Sequence, residues 1–430
     1  MALQPNDPLD LGLLSATAHA TSRGLSIGGC DVAELAEEYG TPLFIYDEEH
    51  LRARARELAE AFDGRVAYAS KAFLCRAMAR VVAEEGLGID VATGGELAVV
   101  LAAGFDPARI IMHGNNKSEA ELAMALEVGV GRIVVDSHDE LGRLTKLVAG
   151  RSEPQKIWLR ITPGVEAHTH EFISTGQDDS KFGFTVSTGM AASAVAAVRM
   201  IHGIELVGLH AHIGSQVTRI ASFAEAAKVI AEFAVPLGLP ELCLGGGLGE
   251  AYLNGEETPS VADWAQAQRD ALEAAGVPKS TEVWVEPGRS LVARSAMTVY
   301  RVGTVKELRD LRTYVAVDGG MSDNPRPVLY GAGYEAFLVR EPEAARPKQV
   351  RIVGKHCESG DVILPEGYLP DDLAVGDLLA TPVTGAYGYS MASTYNRVPR
   401  PAVVFVADGA ARLVLRRETY EDLANLDVAP

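Results

Sequence analysis

Hydrophobic and polar positions along the first two thirds of the chain alternate between two rhythms, one with helical spacing and one with strand spacing. Val32, Leu35, Ala36 and Tyr39 recur at helical spacing behind Asp31, a side chain suited to cap a helix, and the run stops before Gly40. This predicts a short amphipathic helix over 31–39. Pro42 to Tyr46 then reads as a strand and the charged, alanine-bearing stretch 48–62 as a second helix. From about Arg65 a unit recurs: a short β-rich run, a polar residue at its end, then an alanine-rich helical stretch. About eight such units occur, the number that closes a (β/α)8 barrel. The strands run Val66–Ser70 into Lys71, Leu87–Ile89 into Asp90, Ile110–Met112 into His113, Ile133–Val135 into Asp136, Ile157–Leu159 into Arg160, Leu206–Leu209 into His210, Leu242–Leu244 into Gly245 and Val283–Val285 into Glu286. Any strand leaving a core meets polar residues. Seven of these eight, however, end on a side chain that can ionise, and active sites of such barrels lie at the C-terminal strand ends, so the rim reads as a catalytic mouth.

After Arg289 helical periodicity becomes sparse. β-rich segments at Ala296–Val302, Thr313–Val317, Val350–Val353, Leu378–Thr381, Ala402–Val406 and Arg412–Leu415 alternate with Gly, Pro and charged turns. The expected architecture is therefore α/β: a TIM-like (β/α)8 barrel over 45–291 and a mainly β domain over 292–430, completed by the N-terminal segment 1–44, whose Leu25–Ile27 adds a strand. The acidic, proline-bearing run 341–347 reads as a solvent-exposed loop.

Composition narrows the function classes. With 430 residues, 47% of them apolar and 23% charged, the chain can bury a large core without staples. A formal net charge of −19 repels polyphosphates and anionic lipid, so neither nucleic acid nor membrane is an expected partner. The first residues are acidic where a signal peptide is positive, and no uncharged apolar run reaches about 18 residues, which leads to the expectation of a cytoplasmic protein. Cys30, Cys75, Cys243 and Cys357 lie far apart with no Cys-x-x-Cys pair, which disfavours a disulfide framework and a structural zinc site.

Several strand-end motifs carry recognisable chemistry. Tyr68-Ala-Ser-Lys71-Ala places a lysine among small residues, where partial desolvation favours Schiff-base formation with an aldehyde cofactor. Gly245-Gly246-Gly247-Leu248-Gly249 follows the seventh strand and lets backbone amides approach an anion; phosphate sites on this fold favour the loops after strands seven and eight. A phosphate cradle and a Schiff-base lysine together point to pyridoxal phosphate. Glu286-Pro287-Gly288-Arg289 offers a carboxylate that can keep a pyridine nitrogen protonated. His210-Ala-His212-Ile-Gly-Ser215-Gln allows two readings. In one an imidazole stacks on the cofactor ring, with Ser215 near the phosphate; in the other His210, His212 and Asp136, with His168 and His170 available, bind a metal in a barrel hydrolase. Cys357-Glu358-Ser-Gly-Asp361 reads as an exposed turn, Gly385-Ala-Tyr387 as a phenol on a glycine loop, and Asn324-Pro-Arg326-Pro-Val-Leu-Tyr330 as an arginine held between prolines, suited to a carboxylate.

Taken in order, these motifs resemble the fold-type III pyridoxal-phosphate decarboxylases over residues from about 40 to about 425. Pro163-Gly-Val-Glu-Ala-His168-Thr-His170 and Ser180-Lys-Phe-Gly183 are similar to the branch acting on meso-diaminopimelate. The resemblance implies decarboxylation of that substrate to L-lysine and carbon dioxide. Lys71 would bind the cofactor covalently, His212 would stack on its ring, and Glu286 would hold its nitrogen. Asp90, Ser215, Gly246, Gly247, Pro287, Gly288, Arg289 and Tyr387 would complete the cofactor site. Arg289, Arg326, Tyr330 and Tyr387 would meet the substrate, Arg289, Arg326 and Tyr330 its distal carboxylate, and Glu358 its distal ammonium. Cys357 would protonate the product carbon, and its segment would reach the neighbouring subunit of a homodimer with shared active sites. No metal is implied. The alternatives are a fold-type III enzyme for ornithine or arginine or a racemase, the metal-dependent hydrolase, and a non-catalytic pyridoxal-phosphate carrier, which leaves Cys357 and Glu358 unexplained.

Overall fold

The computed structural model describes residues 7–164 and 179–428. The chain forms two compact units: one comprises Arg54–Gly249 with Thr258–Ser290, the other the chain up to Ala53 with Glu250–Glu257 and the chain from Leu291 onward.

The N-terminal segment opens with a small antiparallel sheet of β1 (His19–Thr21), β2 (Gly24–Ile27) and β3 (Cys30–Asp31). Asp31 then caps the helix Val32–Tyr39, its side chain accepting from the amides of Ala33 and Glu34, and Gly40 ends it at φ 72°. Val32, Leu35 and Ala36 face inward, as their spacing requires. β4 (Leu43–Asp47) follows, buried along its whole length.

In the first unit the parallel strands β5 (Ala67–Ala69), β6 (Gly88–Val91), β7 (Ile110–Met112), β8 (Arg132–Val135) and β9 (Gln155–Thr162) are followed by the short β10 (Phe184–Thr185), then β11 (Ile204–His210), β12 (Glu241–Cys243) and β13 (Glu282–Trp284). The hydrogen-bonded order is β13-β12-β11-β9-β8-β7-β6-β5, with β10 added beside β9. The edges meet: the Ala67 amide donates to the Val285 carbonyl at 2.9 Å and the Val285 amide to Arg65 at 3.1 Å. The sheet is thus a closed eight-stranded barrel. Ala67, Ile111, Val134, Trp158, Val207 and Cys243 fill its interior, so it is a packed core and not a pore. At the N-terminal mouth Glu241 accepts from Arg132 at 2.6 Å and from Trp158 Nε1 at 2.7 Å, a structural plug. Among the described residues no helix is long and apolar enough to cross a membrane.

The strands of the second unit are β14 (Ala296–Leu308), β15 (Arg312–Val317), β16 (Phe337–Leu338), β17 (Lys348–Val353), β18 (Val362–Leu369), β19 (Leu378–Pro382), β20 (Ala402–Ala407) and β21 (Ala410–Leu415). They order as β18-β17-β15-β14-β4-β20-β21, with β19 also on β14. β4, far away in sequence, is a central strand here, antiparallel to β14 and parallel to β20. The expected strand at Leu25–Ile27 exists but does not join this sheet. Gly28 and Gly29, at φ 56° and 76°, turn it directly onto β3, and it touches the β domain through the Leu25 amide, which donates to the Val339 carbonyl at 2.9 Å, and through the Gly28 carbonyl, which accepts from Gly409 at 2.7 Å. Within the expected loop 341–347, Arg346 is turned inward and pairs with Glu335 at 2.7 Å, where charge pairing overrides the loop's polarity.

One buried charge pair ties the loop after β7 to the first turn of the helix His138–Val148. Lys117 Nζ lies 2.8 Å from Glu140, both side chains essentially inaccessible, and also donates to the Val134 carbonyl at 2.8 Å. Lys117→Met strands the Glu140 charge and is expected to cost about 3–5 kcal/mol in urea unfolding. The double variant Lys117→Met/Glu140→Leu should recover most of that loss, and a silent single variant would show that the pair contributes nothing.

Candidate active site

The same two-residue strand period that fills the barrel delivers its rim. Behind Ile111, Val134, Trp158 and Trp284, two residues on along each strand, stand His113, Asp136, Arg160 and Glu286; behind Ala67 and Ala69 stands Lys71. β11 departs from this rule, because its register against β9 shifts between Leu206 and Gly208 and the inward Val207 is followed by His210 three residues later.

Glu286 is the electrostatic centre. His113 Nε2 lies 2.8 Å from one carboxylate oxygen and His210 Nε2 2.8 Å from the other, and the two rings meet edge to face at 4.8 Å. Burial alone would push the carboxyl up, but the two imidazoles hold it well below the usual carboxylate range. Asp90, whose Oδ2 is 3.8 Å from His113 Nε2, is pushed well up by burial and then by Glu286, with the Lys71 charge opposing. Of these neighbouring acids Glu286 is the one whose surroundings favour the charged form and Asp90 the one whose surroundings oppose it.

Burial lowers His210 from 6.5 to about 4, against the pull of Glu286. A depressed imidazole contributes stability that is complete above the unfolded value and lost as pH falls through the folded one. Between pH 6.5 and about 4 the wild type should therefore lose about 3 kcal/mol relative to His210→Gln, at about 1.4 kcal/mol per pH unit. Parallel urea titrations of both proteins across that range would reveal it, and matching pH profiles would contradict it.

His212 is held well below its usual range by burial and by the charges of Lys71 and Arg160, and its Nδ1 accepts from the Gly246 amide at 3.3 Å. It is a neutral, oriented flat ring. Lys71 itself is exposed, on the single turn Ser70–Ala72. The glycine loop is built of backbone against backbone. A Cβ on Gly246 would stand 2.1 Å from the Glu286 carbonyl oxygen, and one on Gly247, at φ 115°, 2.3 Å from that of Gly214. Beside it Arg289, nearly buried, donates from Nη2 to Ser215 Oγ at 3.0 Å, and Pro287 accepts from the Ala69 amide at 3.0 Å, bringing Gly288 against Ala69 and Ala72.

These residues suit a pyridoxal phosphate. The amine, the neutral ring, the ionised acid and a glycine loop flanked by guanidinium and hydroxyl match an aldehyde, a π face, a basic ring nitrogen and a phosphate respectively. The set anticipated for a metal does not assemble as expected, since Asp136 lies 3.7 Å from Arg160 and His212 turns to Gly246. Among the described residues His113, His210 and Glu286 do cluster, but each imidazole touches the carboxylate at a hydrogen-bond separation of 2.8 Å, closer than the roughly 3.4 Å that ligands about 2.1 Å from one tetrahedral ion keep from each other.

The Ser180–Gly183 motif packs on the rim: Phe182 lies under the Arg160 guanidinium at 4.2 Å, and the Gly183 amide donates to Asp136 at 3.1 Å. His168 and His170 lie outside the described residues. The remaining anticipated residues belong to the β unit. Arg326 is buried, with its guanidinium 4.3 Å from the Tyr252 ring centroid and hydrogen-bonded to the Tyr334 hydroxyl; Tyr330 ends the same short helix. Cys357 is exposed, as its sequence context requires, and its amide donates to Asn396 at 2.9 Å. Glu358 is exposed beside it. Asp361 anchors this turn to the Arg326 loop, one oxygen accepting from Met321 at 2.6 Å and the other from His356 at 2.8 Å. Tyr387 takes φ 60° two residues after Gly385, whose Cβ would meet the Val292 carbonyl oxygen at 1.9 Å. His113, Arg160 and Tyr252 carry no motif of their own; the first two were legible only as ionisable strand ends.

Residues 48–293 match the family model described as the pyridoxal binding domain of pyridoxal-dependent decarboxylases. The chain is 49% identical over 423 residues to the diaminopimelate decarboxylase of Mycobacterium tuberculosis, covering 94% of each, and 47% identical over 432 residues to that of Bacillus subtilis, covering 95% of this chain and 98% of the relative. It superposes on the diaminopimelate decarboxylase of M. jannaschii in complex with L-lysine with a TM-score of 0.89 and 34% identity, covering 97% of this chain and 98% of that one. With its closed barrel, its mainly β unit and a barrel mouth suited to pyridoxal, the chain belongs to the pyridoxal-dependent decarboxylases, in the diaminopimelate decarboxylase family.

Proposed function

We propose that the protein uses pyridoxal 5'-phosphate to remove one α-carboxylate of meso-2,6-diaminopimelate, forming L-lysine and carbon dioxide. The observation that carries this reading is the convergence, in one barrel mouth, of Lys71, a neutral His212, an ionised Glu286 and the Gly245–Gly247 cradle beside Arg289 and Ser215. When bound, the cofactor supplies an electron sink for the pair released from the breaking carbon–carboxylate bond.

Lys71 Nζ would hold the cofactor covalently. His212 offers its ring face, Glu286 keeps the ring nitrogen cationic, Asp90, Pro287 and Gly288 shape the surrounding wall, and Gly246, Gly247, Ser215, Arg289 and Tyr387 take the phosphate and its approach. Arg326, with Tyr330 and Arg289, receives the substrate's distal carboxylate, Glu358 its distal ammonium, and Cys357 Sγ delivers a proton to the α-carbon. The Cys357 segment serves the site of a neighbouring copy in a cytoplasmic homodimer; its exposed thiol suits a reducing compartment.

Purified protein supplied with pyridoxal phosphate and, in turn, meso-diaminopimelate, lysine, ornithine and arginine tests this directly. Carbon dioxide and lysine should appear from the first substrate alone. Turnover of ornithine or arginine at a comparable rate would move the assignment within the family, and no turnover of any would remove it.

A further inference from the structure

Glu286 is the most heavily partnered acid at the barrel rim, and its partners constrain both its charge and its direction. Each carboxylate oxygen lies 2.8 Å from a different imidazole Nε2. The buried Cys243 thiol also bonds this side chain, and burial followed by the Glu286 charge pushes it well up, so it remains a donor. His210 Nδ1 is buried and meets no hydrogen-bond partner among the described residues. An N–H at that position would be an orphaned donor, costlier than a bare lone pair. The His210 proton therefore sits on Nε2, facing Glu286. His113 presents its Nε2 to the other oxygen in the same way.

We propose that His113 and His210 are positioning residues that donate from both Nε2 atoms to Glu286 and so hold it ionised and oriented for the ring-nitrogen role proposed above, on which this inference rests. Three donors, the two imidazoles and the Cys243 thiol, leave the carboxylate one of its roughly four acceptor sites, so it can accept a further bond without giving up either histidine. The other groups whose charges reach Glu286 are Asp90 from β6, Arg160 from β9, His212 beyond β11 and Cys243 from β12. Asp90 is the other carboxyl among them, and burial together with the Glu286 charge pushes its ionisation up, which weakens its competition for negative charge. The arrangement works through Glu286 and needs no contact between the imidazoles and the substrate.

The test compares His113→Leu, His113→Gln and Glu286→Gln with the wild type. Three quantities are read: affinity of the apoprotein for pyridoxal phosphate by fluorescence titration, the pH dependence of the bound cofactor's visible band, and kcat and KM separately. Loss of one hydrogen bond to a charged group predicts that His113→Leu weakens cofactor binding and lowers kcat roughly 10- to 100-fold, with KM nearly unchanged and the spectral transition displaced. His113→Gln, which keeps an N–H donor, should restore most of each. If His113→Leu matches the wild type in all three while Glu286→Gln is impaired, the inference fails and the functional reading survives. If Glu286→Gln also matches the wild type, both fall. Should His113→Leu not fold, His113→Gln against His113→Asn, which shortens the reach of the donor, gives the same comparison.

Discussion

Replacing Lys71 by alanine should lower the rate of diaminopimelate decarboxylation by at least roughly 10³-fold and leave the cofactor held without a covalent bond, visible as a changed absorption spectrum. The expectation follows from position. Lys71 follows β5 on an exposed turn, with its charge felt by both Asp90 and His212. Lys117, another amine at the strand ends, is buried in its pair with Glu140 and bound to the Val134 carbonyl. The glycine cradle and the Arg289–Ser215 contact do not depend on Lys71, so the variant should still retain pyridoxal phosphate, more weakly. A Lys71→Ala protein that turns over within tenfold of the wild type would remove this lysine from the chemistry.

Arg326→Ala should lower kcat/KM for meso-diaminopimelate roughly 10²- to 10³-fold while leaving the cofactor spectrum unchanged, the equivalent of about 3–4 kcal/mol, within the range for an uncompensated buried charge. In the structure the guanidinium is buried against Tyr252 and bonded to Tyr334; among the described residues what meets it is phenol, an arrangement suited to receiving a substrate carboxylate. Lysine, which lacks the second carboxylate, should inhibit the variant at least as well as the wild type, because the unpaired arginine is what rejects it. Steady-state kinetics with both compounds settle the matter. An unaltered kcat/KM would assign the distal carboxylate to other residues.

Much of the barrel was legible because its signal is local. Seven of the eight strands read as a short apolar run closing on an ionisable residue, and outside β11 the two-residue period places that residue over the core residue before it. What escaped depends on distant pairing. β4 reads as a strand from its composition, but nothing local announces that Leu43–Asp47 lies between β14 and β20. Leu25–Ile27 was assigned to the wrong sheet because a glycine turn, and not its apolar side chains, decides its partner. At the site, motifs exposed Lys71, Glu286 and the glycine loop, whose chemistry is tied to residue type. His113 was silent by comparison: its role is defined only by a carboxylate 173 residues away. Arg160 was hidden for the same reason, paired across strands with Asp136 and covered by Phe182.

The central claim, that the Nζ atom of Lys71 carries the cofactor, has one direct measurement. The holoprotein is reduced with borohydride, digested, and its peptides are weighed by mass spectrometry. A pyridoxyl-phosphate mass increment on the peptide containing Tyr68-Ala-Ser-Lys71 and on no other is the predicted result. An active preparation in which that peptide is unmodified, or in which another lysine carries the increment, would contradict it.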